Sequence, residues 1–155
     1  MTLGSGCSGS PYTNAAASQS TGEPFAACQG TAGYKTVWFK FVAPASGNVR
    51  ISTDYSGGTM GSDSRVALFS AEDVNNYATF SNLACDDDNG AVVGAKSILY
   101  ATGLTAGNTY YVQVDGKNAS TASGSFCVTV DEMASNMLAT STACAAGQSL
   151  STVND

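Results

Sequence analysis

The sequence has no histidine among its 155 residues. Histidine is the commonest general base and metal ligand near neutral pH, so its absence excludes Ser-His-Asp and Cys-His catalytic sites. The five cysteines show no Cys-x-x-Cys spacing, and without histidine they match no zinc-binding pattern. We therefore expect a protein that is not an enzyme.

Charged residues are also scarce, at 12% of the chain, which is about half of the usual share. Neutral hydrogen-bonding residues such as Ser, Thr and Asn replace them, which suits an extracellular surface. The net charge is −6, and the six basic residues are scattered along the chain: Lys35, Lys40, Arg50, Arg65, Lys96 and Lys117. A nucleic-acid-binding surface is therefore not expected.

Long hydrophobic runs are missing too. No stretch approaches the roughly 18 apolar residues that suggest a membrane-spanning helix, so the sequence predicts no membrane span. Residues 1–4 do not resemble a secretory leader, and we expect the natural start of the chain to lie further upstream. The chain is long enough for one domain with a buried core.

The cysteines are the first positive feature of the sequence. Together with the low charge they indicate an oxidising environment, so we expect a secreted or cell-surface protein. The alternative is a cytosolic protein with buried free thiols. Four cysteines allow three pairings, of which we favour Cys7–Cys28 and Cys85–Cys127. The first pair closes a loop of ~20 residues, worth about 3 kcal/mol. Cys144 is then left to pair outside this chain.

Strand patterns dominate the chain, and helical periodicity is nearly absent. Short runs of β-branched and aromatic residues lie between turn residues, at residues 36–44, 47–54, 64–71, 79–85, 96–104, 108–116 and 123–131. Several runs alternate between apolar and polar residues, which is typical of two packed antiparallel sheets. We predict an all-β, jelly-roll-like sandwich. Trp38, the only tryptophan, is expected between the sheets; the alternative is a platform that stacks on a sugar.

The two ends of the chain differ from the middle. Residues 34–131 contain the strong strands and are predicted to form the sandwich domain. Residues 1–33 are rich in Ser, Gly, Ala and Thr, and we expect an N-terminal arm that packs on the sandwich. Residues 132–155 follow the last strong strand. We expect them to form either a C-terminal extension or the start of a following repeat. The repeat is suggested by the run from Cys144, which weakly resembles the run from Cys7.

Half of the twelve acidic residues are expected at one end of the sandwich. Consecutive antiparallel strands run in opposite directions, so alternate strand ends meet at the same end of the sheets. We take strand 64–71 to start at the shared end of the sandwich. The acidic residues at the ends of the neighbouring strands then lie at that same end: Asp54, Asp63, Asp86, Asp87, Asp88 and Asp115.

Such a cluster suits a cation. Neighbouring carboxylates raise one another's pKa unless a cation neutralises them. Calcium prefers several hard oxygen ligands from carboxylates and carbonyls. We predict a calcium site formed mostly by Asp63, Asp86, Asp87 and Asp88; the alternative is a solvated acidic loop.

The order of the motifs resembles a known family. "VWFKFVAPASGNVRISTD", "SDSRVALFSA", "NLACDDDNG", "SILYATGLTAGNTYYVQVDG" and "GSFCVTV" follow one another over residues 36–131, which is similar to the bacterial pre-peptidase C-terminal domain family. The resemblance implies a jelly-roll sandwich, secretion and an accessory role next to enzymes or surface proteins. Some members bind calcium, some bind collagen or polysaccharide, and tandem copies are common.

These observations lead to a functional hypothesis. We expect a non-catalytic, calcium-stabilised module of a larger secreted or surface protein of a bacterium, serving adhesion or assembly. Its partners would be neighbouring copies or domains of the same protein, or an extracellular polysaccharide or protein. Tyr55, Asp115 and Asn118 are candidates for a ligand-binding rim at the acidic end. Two alternatives are a carbohydrate-binding module and a self-assembling fibre subunit that donates its C-terminal extension as a strand.

Overall fold

β-Strands make up most of the regular structure, in a computed structural model that describes residues 1–7, 11–30, 33–60, 63–92, 95–117 and 123–134. The strands of this part are β1 (Tyr12–Thr13), β2 (Val37–Val42), β3 (Val49–Ser52), β4 (Ser64–Ala71), β5 (Phe80–Asp86), β6 (Ile98–Ala101), β7 (Thr109–Gly116), β8 (Ser125–Phe126) and β9 (Thr129–Glu132). Short 3-10 turns lie at Ala27–Gln29 and Tyr77–Thr79. The described residues include no helix with the length and hydropathy needed to cross a membrane.

The strands form nested antiparallel pairs, in which early strands of the chain pair with late ones. β1 pairs with β8, β2 with β7, β3 with β6 and β4 with β5, all antiparallel. Two more pairings complete a four-stranded sheet of order β2-β7-β4-β5 and a three-stranded sheet of order β6-β3-β9. This nesting is the jelly-roll arrangement, and the predicted all-β sandwich is confirmed.

The main core lies between the two sheets and follows from the alternation in the sequence. Val49 and Ile51 of β3 and Val112 and Val114 of β7 are fully buried, because side chains two residues apart share a face of a strand. The last predicted strand, residues 123–131, is interrupted between β8 and β9. The interruption lets β8 pair with β1 while β9 pairs with β3.

Part of the N-terminal region, residues 23–30 and 33–35, covers the outer face of the four-stranded sheet. The side-chain amide of Gln29 donates to the Gln113 side chain on β7 at 3.1 Å. The backbone N–H groups of Tyr34 and Lys35 donate to the Asp115 carboxylate at 3.1 and 2.8 Å. These contacts lie on the side of the sheet that faces away from the three-stranded sheet, so residues 23–30 and 33–35 form a third layer, which we call the N-terminal layer. Met1, Leu3 and Tyr12 instead pack against the core between the sheets. The predicted boundaries at residues 33 and 131 stay predictions.

Trp38 lies under this layer and not between the sheets, so its predicted place in the core is wrong. On β2, Phe41 belongs to the core between the sheets and Phe39 packs against it, which turns Trp38 to the outer face. There it packs with Phe69 in a smaller cluster, and its indole N–H donates to Glu23 at 2.6 Å. The sequence could not decide this, because both faces of β2 carry aromatic or aliphatic residues.

Disulfides are present, as predicted, but the favoured pairing is wrong. Cys7 pairs with Cys127 and Cys28 pairs with Cys85, with Cα–Cα distances of 5.8 and 6.2 Å. Cys85 packs in the cluster on the outer face of the four-stranded sheet. Cys127 lies next to β9 of the other sheet, between two core residues. These two cysteines therefore lie in different clusters, and each pairs with a cysteine of the N-terminal region instead. Cys144 lies outside the described residues.

Candidate cation site

Three strand ends meet at one end of the four-stranded sheet. β4 starts there, whereas its antiparallel neighbours β5 and β7 end there. Asp63 precedes β4, Asp87 and Asp88 follow β5, and Lys117 follows β7. One carboxylate oxygen of each aspartate lies within 4.8 Å of the other two. We call Asp63, Asp87 and Asp88 the carboxylate cluster.

Lys117 places its ammonium group among these carboxylates. Its Nζ atom lies 3.0 Å from an oxygen of Asp88, 3.2 Å from Asp87 and 3.8 Å from Asp63. Hydrogen bonds with Asp88 and Asp87 raise the pKa of Lys117 to about 12. A single ammonium against three carboxylates leaves two negative charges at the cluster when all four groups are ionised.

The cluster is incompletely satisfied in the described structure. One oxygen of Asp63 and one of Asp87 are buried without a hydrogen-bond partner among the described residues. Burial raises the pKa of Asp63 above its usual 3.8; Lys117 opposes this effect, and Asp87 and Asp88 add to it. Buried carboxylate oxygens without donors are costly, and a bound cation would stabilise them.

Asp86 is not part of the cluster, although the sequence predicted it as a ligand. Its register partner is the core residue Val66, so Asp86 points inward while Asp87 follows on the opposite side. The Asp86 carboxylate accepts the backbone N–H of Ile98 at 2.9 Å and two donors of Asn89. Asp86 therefore fixes the acidic loop against β6, and the ligand set is reduced to the carboxylate cluster.

Of the predicted rim residues that the structure describes, Asp115 does not lie on the surface. Asp115 is fully buried and pairs with Arg65 at 2.5 Å, so it is not part of an exposed rim. Tyr55 lies partly buried in the loop after β3. Asn118 lies outside the described residues. Nothing in the described structure therefore supports a rim made of these three side chains.

The role of Lys117 was not predicted from the sequence, where it is one of six scattered basic residues. The signal was its position, one residue after a strand that ends where the carboxylates collect. Chemically, the site offers carboxylate oxygens from two neighbouring strand ends, the start of β4 and the end of β5. Such hard oxygen donors in an irregular cage suit calcium better than magnesium, which demands near-ideal octahedral geometry.

A second feature that the sequence did not reveal is an apolar cleft on the outer face of the four-stranded sheet. The cleft has a volume of about 190 Å³ and is lined by Trp38, Val74, Tyr77, Phe80 and Tyr111. Phe80 contacts three of these aromatic rings, with centroid distances of 5.4 to 5.7 Å. The residues come from β2, β5, β7 and the connection between β4 and β5, where Val74 precedes the 3-10 turn that contains Tyr77, so only the fold brings them together.

Comparisons with known proteins give no further guidance. No protein-family model matches the chain, and neither comparison with curated proteins nor comparison with solved structures gives a match. The likeness to the pre-peptidase C-terminal domain family therefore stays a prediction from the motifs. Any proposal about function must start from the sites themselves.

Proposed function

We propose that the protein is a non-catalytic extracellular module that binds calcium at Asp63, Asp87 and Asp88 and is stabilised by it. The observation that carries this proposal is the convergence of three carboxylates within 4.8 Å, two of them with a buried oxygen that has no partner among the described residues. When a divalent cation replaces the Lys117 ammonium, it neutralises two of the three carboxylate charges.

Calcium at this position would join the start of β4 to the end of β5. These two strands are neighbours in the four-stranded sheet, so an ion shared by their ends opposes fraying of that sheet. Lys117 occupies the same space when no ion is bound, because its Nζ atom lies 3.0 to 3.8 Å from all three carboxylates. Binding therefore requires the ammonium to move away.

The setting of the module is inferred from its cross-links and composition. Two disulfides suggest an oxidising, extracellular environment, where calcium is abundant. The low share of charged residues fits the same setting. Within it, we assign the module to a larger secreted or surface protein of a bacterium, where it serves adhesion or assembly through neighbouring domains or extracellular polymers.

Thermal unfolding in millimolar calcium and in excess chelator tests the calcium proposal. A ligand that binds only the folded state, at about 100 times its Kd, adds about 2.7 kcal/mol. For a chain of this size, we expect calcium to raise the midpoint by about 5–10 °C. The shift should disappear in Asp87→Asn and persist in Glu72→Gln, an exposed acid outside the cluster. An unchanged midpoint in the native sequence would contradict the proposal.

A second candidate function is carbohydrate binding, which is favoured by the cleft around Phe80. Its lining is aromatic and aliphatic and carries no charge, which suits the apolar face of a neutral sugar ring. We expect retention on an insoluble neutral polysaccharide, reduced about tenfold in Tyr77→Ala, a loss of about 1.4 kcal/mol. Tyr55→Ala, outside the cleft, is the control. Equal retention of both variants would contradict this candidate.

A further inference from the structure

The aromatic rings of the apolar cleft around Phe80 meet at steep angles. Relative to the Phe80 ring, the plane of Trp38 is turned by 74° and that of Tyr77 by 68°. The Tyr111 ring is tilted by 48°. All four side chains line the cleft and are partly exposed. Rings at these angles form the walls of a small box. A sugar ring can stack on one wall, whereas a compact, rounded group can contact several rings at once.

A buried carboxylate lies against the edge of one of these rings. The indole N–H of Trp38 donates to Glu23 at 2.6 Å, and Glu23 is only 6% exposed. Two other neutral groups donate to Glu23, the Gln113 side-chain amide at 3.0 Å and the Ser20 backbone N–H at 2.8 Å. Among the described residues, no basic group lies within ion-pair distance of Glu23. Its negative charge therefore attracts a cation to the Trp38 side of the cleft.

The surroundings of the cleft are also more acidic than basic. Glu72 and Asp73 are exposed and directly precede Val74, which lines the cleft. Lys40 pairs in register with Tyr111 and adds one positive charge on the same face of the sheet. Two exposed acidic groups and one basic group therefore lie near the rim. The net charge of −6 acts in the same direction as this local excess.

We propose that this cleft binds an alkylated ammonium cation, of the trimethylammonium type that choline carries. Such a cation has no N–H to donate, so it is held by the faces of aromatic rings and by nearby negative charge. The cleft offers tryptophan and tyrosine rings beside the Glu23 carboxylate. Its volume of about 190 Å³ lies below the roughly 300–1,000 Å³ of sites for drug-sized ligands, which suits a small group. Because no residue of the carboxylate cluster lines the cleft, this binding is independent of calcium.

The fluorescence of Trp38, the only tryptophan of the chain, reports on occupation of the cleft. Titrations at constant ionic strength compare choline with the neutral alcohol in which a tert-butyl group replaces trimethylammonium. We expect choline to bind about tenfold more tightly, because only the cation is attracted by the ring faces and by Glu23. Equal affinities would overturn the proposal, and so would a spectrum that neither ligand changes. A change with cellotetraose but not with choline would assign the cleft to a neutral sugar instead.

Two variants distinguish the contribution of the rings from that of the charge. Tyr77→Leu keeps the wall apolar but removes a ring face, and it should weaken choline binding about fivefold while leaving binding of the neutral alcohol unchanged. Glu23→Gln keeps an oxygen for the indole N–H but removes the charge, and it should also weaken choline binding alone. The matched control is Tyr100→Leu, an exposed tyrosine outside the cleft, which should bind choline like the native sequence. Unchanged choline affinity in both Tyr77→Leu and Glu23→Gln would contradict the proposal.

Sedimentation with phosphatidylcholine vesicles identifies the source of the cation. Choline binding together with co-sedimentation that is lost in Tyr77→Leu assigns the cleft to a lipid headgroup. Choline binding without co-sedimentation assigns it to a soluble or polymer-linked cation. Both results support the proposal, since the trimethylammonium group is the same in each.

Discussion

Lys117 controls the charge of the carboxylate cluster when no metal is bound. The pKa of this lysine is raised to about 12, above the ordinary 10.5, so its ion pairs favour the folded state. The contribution is fully present below pH 10.5 and is lost as the pH rises through about 12. The raised pKa of Asp63 has the opposite effect on stability. Burial disfavours the ionised carboxylate, so protonation of Asp63 favours the folded state at low pH. This contribution to stability is lost as the pH rises above 3.8.

Replacing Lys117 distinguishes its effect on stability from its effect on calcium binding. In Lys117→Gln we expect lower stability in chelator, because the ammonium no longer offsets three carboxylates. We also expect calcium to bind about tenfold more tightly, since surface ion pairs worth about 0.2–1 kcal/mol each no longer compete. Calorimetric titration at pH 7 measures the affinity, and chemical denaturation in chelator measures the stability.

Lys40→Gln is the matched control, because it removes the same charge from β2, which contributes no residue to the cluster. Its calcium affinity should equal that of the native sequence. If the native protein binds calcium but Lys117→Gln binds it no more tightly, Lys117 does not compete for the site. If neither protein binds calcium, the site itself is rejected.

At the scale of elements, the N-terminal layer depends on polar contacts with the four-stranded sheet. Arg65 on β4 and Asp115 on β7 form an ion pair in which both side chains are at most 2% exposed. Arg65 also donates to the backbone carbonyl of Gln29 at 2.5 Å. Asp115 accepts two backbone N–H groups from residues 34–35. The pair therefore connects two strands to the layer that covers them.

Removing one partner of this pair should be strongly destabilising. Arg65→Met leaves the Asp115 carboxylate buried without its cation, and we expect a loss of about 3–5 kcal/mol in the free energy of unfolding. Arg50→Met is the control, because Arg50 pairs with Asp131 at 3.5 Å with both side chains over a third exposed; its loss should be about 0–1 kcal/mol. Urea denaturation measures both. Similar small losses would contradict this role of the buried pair.

The same layer shows why element positions were easier to predict than contacts. The runs at 36–44, 64–71 and 108–116 each contain an observed strand, because period-2 alternation is local. Residues 5–33 have weak alternation, and their contacts come from hydrogen bonds to distant side chains. No local pattern specifies that Gln29 bonds Gln113 or that Glu23 accepts from Trp38.

At the scale of the whole molecule, the two disulfides close long loops and both start in the N-terminal region. Cys7–Cys127 spans 120 residues and Cys28–Cys85 spans 57. In the chain-entropy account they are worth about 5 and about 4 kcal/mol. The pairing favoured from the sequence placed one bridge inside the N-terminal region and one across the sheets. The observed pairing instead fastens the N-terminal residues to both sheets.

The sequence by itself determined the all-β class, most strand positions and the gathering of Asp63, Asp87 and Asp88, because alternation and antiparallel direction are readable along the chain. Only the tertiary structure decided that Asp86 points inward, that Trp38 faces outward, which cysteines pair and that Lys117 enters the cluster. The physical reason is the same for each. Alternation separates the two sides of a strand, but packing against distant segments decides which side is covered and by what.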